Sequence, residues 1–119
     1  MQKIDLAQKL ALFSDHWHPR IIGELNGQQV KLAKLQGEFV WHDHANEDEL
    51  FLVLKGRLRM EFRDGAVEVG EGEMIIVPRG VEHRPVAAEE VHVMLFEPAS
   101  TRHTGNVEHL LTRHQLEHI

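Results

Sequence analysis

Turn-forming residues break this chain so often between Arg20 and Pro98 that no long helix fits there, and the runs between the breaks alternate apolar with polar side chains. Asn26-Gly27 is the sharpest break, because a two-residue type I′ hairpin needs two residues that tolerate positive φ. Asp64-Gly65 repeats that signal, Gly70-Glu71-Gly72 marks another turn, and Pro78-Arg79-Gly80 stops a strand, since proline cannot donate to a ladder. The bounded runs predict strands over Arg20 to Leu25, Gln28 to Leu35, Glu38 to His44, Glu49 to Leu54, Arg57 to Arg63, Ala66 to Val69 and Glu73 to Val77. A short strand carrying His83 follows, then a turn at Ala88-Glu89-Glu90 and a last strand over Val91 to Phe96. Roughly eight to ten short strands so spaced predict an all-β sandwich or barrel.

Little helix is left for the ends. Leu6, Leu10 and Phe13 fall at helical spacing behind Asp5, a suitable N-cap, so a short N-terminal helix is expected over Asp5 to Phe13. Val107 to Ile119 reads either as a C-terminal helix or as a partial return strand. At 119 residues the chain has the size of one domain, expected to span 1–119 with its core at about 20–98. The absence of cysteine excludes a disulfide framework, a thiolate metal site and a cysteine nucleophile. A formal charge of −6 with scattered Lys and Arg argues against a nucleic-acid partner, and no long uncharged apolar run suggests a signal peptide or a membrane span. A soluble cytoplasmic protein is the expectation.

Ten histidines are unevenly spread. Those at 103, 109, 114 and 118 fall in the tail, as solvated surface, and His16 with His18 sits in a polar loop without a third nearby ligand. His42 and His44 are different, because alternation along a strand points both imidazoles to one face. Glu49 opens a run, ELFLVL, that is otherwise apolar on both faces, so its carboxylate needs a partner. Imidazole nitrogen and carboxylate oxygen together suit a divalent ion such as Fe, Mn, Ni or Zn.

Gly37, His42, His44, Glu49 and Gly56 resemble the first signature motif of the cupin superfamily, and Gly72, Pro78, Gly80 and His83 resemble its second. The hairpin linker Arg57 to Glu71 is similar to that of small bacterial cupins. Two departures leave the ligands in place: one residue fewer separates Gly37 from His42, and Ala87 stands where an Asn often ends the second motif. The resemblance implies a cupin-type jelly roll, one bound divalent transition metal, and His42, His44, Glu49 and His83 as its four ligands inside the barrel. It also implies a small-molecule ligand or substrate and a homodimer, with Arg20 to Leu25 as a pairing edge.

Activity is less constrained, because the superfamily hosts many chemistries. A metal-dependent enzyme on a small polar metabolite is expected, with a dioxygenase-type reaction favoured by three His and one Glu. The alternatives are a sugar isomerase like mannose-6-phosphate isomerase and a non-catalytic metal or small-molecule binding protein. His92, on the apolar Val91 to Phe96 run, is a candidate base beside the ligands or a buried neutral histidine. Arg57, Arg59, Arg79 and Arg84 are candidate anchors for an anionic substrate or a solvated face, while Trp41, Phe51, Met60 and Phe62 are expected in the core.

Overall fold

A computed structural model describes residues 1–105 and 115–119. The chain forms α1 (Leu6–Leu10), β1 (Arg20–Leu25), β2 (Gln28–Glu38), β3 (Glu49–Lys55), β4 (Leu58–Phe62), β5 (Gly65–Val69), β6 (Met74–Val77) and β7 (His83–Pro98). All named strands pair antiparallel, in the order β1-β2-β7-β3-β6, with β4 joining β7 and β5 joining β4. The result is the expected all-β jelly roll.

Local chemistry explains most of the boundaries. Asp5 caps α1 by accepting from the Gln8 N–H at 3.2 Å, and Leu6, Leu10 and Phe13 cover Ile22 and Leu32 on the outer side of the sheet. Asn26 and Gly27 take φ of 52° and 77°, so the β1–β2 turn sits where the sequence puts it. The β4–β5 turn lies one residue earlier than expected, at 63–64, with Phe62 opposite Gly65. That register sets the buried Leu58 against the buried Val69, which a slip of one residue would turn outward.

The largest departure concerns β7. The expected turn at Ala88-Glu89-Glu90 is absent, and one continuous strand of 16 residues runs through it. Its first part pairs with β4 and its last part with β3, while β2 follows it from Val86 to Pro98. Residues 88–90 are exposed because they cross between these partners at the edge of the barrel, and three exposed residues in a row imitate a turn. The strand must bend strongly there: straight, it would hold His83 and Glu97 roughly 45 Å apart at about 3.3 Å per residue, yet both side chains reach Glu49. Gly56 takes part in this crossing. Its φ is +88°, and a Cβ there would stand 3.0 Å from the Glu90 carbonyl oxygen.

Inside the barrel, Phe51, Val53, Leu58, Met60, Val91, Val93 and Leu95 form one apolar cluster with Trp17 and Phe39. Of the expected tail helix, residues 106–114 lie outside the described residues. The last residues return to β1: Ile21 donates to the Glu117 carbonyl at 2.8 Å, and Ile119 donates to the Ile21 carbonyl at 3.0 Å. The β1 edge expected to meet a second copy therefore carries this chain's own terminus at Ile21. Among the described residues no helix is long and apolar enough to cross a membrane.

Candidate metal centre

The segment expected as a strand from Glu38 to His44 leaves the ladder after Glu38. Only His42 keeps a bridge, with its N–H donating to the His83 carbonyl at 3.1 Å and the His83 N–H donating back at 2.9 Å. This reciprocal pair sets the two rings side by side, with centroids 4.3 Å apart. His44 is fixed differently, by the Gly80 N–H donating to its carbonyl at 2.8 Å, and Asp48 accepts from the Arg79 N–H at 2.9 Å. The Pro78-Arg79-Gly80 turn thereby locks onto the loop that carries His44. Glu49 opens β3 opposite Val77, the last residue of β6.

These anchors bring the four expected residues together. One ligand atom from each of His42, His44, Glu49 and His83 lies within 4.8 Å of all the others, and all four side chains are buried. The Nε2 atoms of His44 and His83 stand 3.3 and 3.5 Å from Glu49 Oε1. Two ligands at roughly 2.1 Å from a shared ion with tetrahedral angles stand about 3.4 Å apart, so this spacing fits one metal ion.

Hydrogen bonding points the same way. His42 Nδ1 and His83 Nδ1 each lie 2.9 Å from a backbone carbonyl, of Val40 and Val81. A carbonyl only accepts, so each Nδ1 carries the proton and each Nε2 keeps a lone pair. His44 Nε2, His83 Nε2 and Glu49 Oε1 are buried without a hydrogen-bond partner. Polar atoms facing one another without partners in an apolar barrel are costly unless a cation lies between them. Burial, followed by the neighbouring His83, pulls the His42 imidazole down to about 4, so it is neutral and available as a donor at ordinary pH.

Two further residues join the site that sequence reasoning missed. Glu97 and Lys31 are fully buried, and Lys31 Nζ donates to Glu97 Oε1 at 2.7 Å. Burial and the adjacent Glu49 charge raise the Glu97 carboxyl well above its ordinary range. Glu49 goes the other way: burial alone would raise it, but the hydrogen bond from the Glu97 carboxyl holds it well below. Of the two touching carboxyls, Glu97 keeps the proton and Glu49 the charge. Strand parity carried the signal, because the inward row Val91, Val93, Leu95 continues to Glu97, and Ala33 and Leu35 share a face with Lys31. Ending the strand at Phe96 hid it.

The remaining candidates lie elsewhere. His92 faces away from the barrel interior and contacts Glu90 at 2.9 Å, so it is not brought to the four. His16 meets the other oxygen of Glu90 at 2.7 Å, and His18 meets Asp15 at 3.1 Å. Arg59, Arg79 and Arg84 form surface ion pairs with Glu61 and Glu68, Asp48, and Glu38 and Glu61 respectively. Phe51 and Met60 are core as expected, whereas Trp41 is half-buried under the Arg63 guanidinium, 3.9 Å from its ring centroid. After β7 the chain turns back over the site. There Gly105 has φ of +60°, and a Cβ would collide with the Asp43 carbonyl oxygen.

Comparison with known proteins agrees with this architecture. Residues 28–98 match the sequence model described as Cupin domain. A cupin-2 domain containing protein from Shewanella frigidimarina is 49% identical, with a TM-score of 0.79 over 80% of this chain and 93% of that one. Protein NMB1881 from Neisseria meningitidis is 35% identical, with a TM-score of 0.76 over 82% of this chain and 100% of that one. The uncharacterized protein YdbB of Bacillus subtilis is 41% identical over 64 residues, which span 53% of this chain and 57% of that relative's length.

Proposed function

We propose, for a chain that belongs to the Cupin domain family, that it binds one divalent transition metal ion through His42, His44, Glu49 and His83 and acts as a metal-dependent enzyme on a small metabolite, with dioxygenase-type chemistry. The observation that carries the metal assignment is the convergence of buried, unpartnered polar atoms from His44, Glu49 and His83 beside the His42 ring. Three imidazoles and one carboxylate suit Fe, Mn, Ni or Zn. When bound, the ion supplies Lewis acidity and coordination positions open to a substrate donor atom. The chain's own part is to fix the donors: Val40 and Val81 hold two imidazole tautomers, Gly80 pins His44, and Glu97 steadies Glu49.

The test is O₂ consumption by Fe²⁺-loaded protein with enolic and catecholic compounds. Uptake that needs Fe²⁺ and vanishes in His42→Ala is the expected result; uptake indifferent to both rejects the proposal. One observation favours a second reading. The ligand side chains are buried and the cavity beside them measures only about 30 Å³, as suits a metal that stiffens the barrel without catalysis. In that case the protein holds its metal and consumes no O₂ with any of the compounds.

A further inference from the structure

The cavity beside the four ligands has a chemistry of its own. His42 and Glu49 form one side of it, and Trp17, Leu35, Phe39 and Phe51 are among the residues that enclose the rest. Among the described residues, its lining contains no lysine or arginine; Glu49 is its one carboxylate, and beside His42 it holds His103, which is buried against Phe39 rather than on the solvated surface expected of the tail. A phosphate or a polycarboxylate entering such a chamber would lose its hydration and meet no lysine or arginine to compensate its charge. Flat aromatic walls instead favour a flat apolar body.

The chamber's size is set by Trp17. Its indole stacks on Phe39 with centroids 4.6 Å apart and planes at 14°, and its Nε1–H donates to the Gln36 carbonyl at 2.9 Å. Its backbone N–H donates to the Lys34 carbonyl at 3.0 Å, so both ends of the residue are fixed to β2. The backbone there has φ of 60°, a conformation rare for a bulky residue and held only when its contacts over-determine it. With the ring in place, the space of about 30 Å³ holds roughly two or three waters.

We infer that this chamber receives the uncharged, flat body of a small phenol-like or enol-like ligand whose oxygen is directed at His42 and Glu49, and that Trp17 is the residue limiting how large that body can be. The inference rests on the proposed metal site for the ligand's orientation, but the shape and charge of the chamber do not depend on the metal. The same absence of lysine and arginine disfavours phosphosugars.

The experiment measures phenol and mannose 6-phosphate binding by ligand-observed NMR, to wild-type protein and Trp17→Gly, each metal-free and Co²⁺-loaded. Glycine accepts the positive φ and removes the ring. Trp17→Leu, which refills part of the space, serves as the second variant, and far-UV circular dichroism checks the folding of both. Phenol affinity is expected to rise at least tenfold in whichever variant is folded, with no saturable binding of mannose 6-phosphate to any form. Unchanged phenol affinity in a folded variant, or preferential binding of the phosphate ester, overturns the inference. Co²⁺ content is measured in parallel, so that failure to take up metal counts against the metal site, while the metal-free series still decides the chamber.

Discussion

His83→Ala protein loses its metal: bound ion per chain, measured by elemental analysis after dialysis, falls from about one to near zero. The expectation follows from the position of His83 in the cluster, fully buried, with Nδ1 committed to Val81 and Nε2 3.5 Å from Glu49 Oε1. Removing only a group that orients a metal ligand typically lowers affinity about 10–100-fold. Deleting a ligand itself is expected to cost more than that upper figure. His92→Ala is the matched control, since its ring contacts Glu90 outside the barrel, and it retains metal at the wild-type level. Equal retention by both variants places the ion elsewhere among the ten histidines.

The second large effect is on stability. Glu97→Leu strands the Lys31 ammonium in the interior, where it is 1% exposed and has Glu97 as its partner at 2.7 Å. Breaking a buried pair from one side costs about 3–5 kcal/mol, equivalent in a domain of this size to a fall in Tm of roughly 10 °C or more. The same change removes the carboxyl that touches Glu49, so the metal-dependent rise in Tm shrinks as well. Lys31→Met combined with Glu97→Leu removes both polar groups and is expected to recover most of the lost stability, because no buried ammonium is then left without its partner. Thermal melts of the two single variants and the double variant close this cycle. Additive losses would show that the pair is not coupled.

These two effects differ in how openly the sequence announced them. The ligand set was readable because each member sits in a local pattern: His42 and His44 two residues apart, Glu49 opening an apolar run, and His83 behind Pro78 and Gly80. The hairpin turn at Asn26-Gly27 and the cap at Asp5 were readable for the same reason, since both depend on neighbours within a few residues. Lys31 and Glu97 are 66 positions apart, and their meeting depends on the bend of β7, which no local pattern encodes. That bend also turned three exposed residues, Ala88, Glu89 and Glu90, into an apparent turn. His42 illustrates a third case. Its inward direction was foreseen from strand alternation, but it is held by a single reciprocal bridge to His83 rather than by a strand. The side chain reached the right place for a different backbone reason.

The size and charge of the chamber were likewise hidden, because Trp17 enters it from a loop that reads as polar surface, Ser14 to Pro19. Only the docking of that loop on Lys34 and Gln36 shows the indole to be a wall of the site.

The most direct test of the metal assignment is anomalous X-ray scattering, at the absorption edge of the bound metal, from crystals of protein supplied with one equivalent of Zn²⁺ or Mn²⁺. A single dominant peak enclosed by His42, His44, Glu49 and His83, about 2.0–2.3 Å from their donor atoms, is the predicted result. An empty cluster, with the anomalous signal only at surface histidines such as His16 or His118, would contradict it.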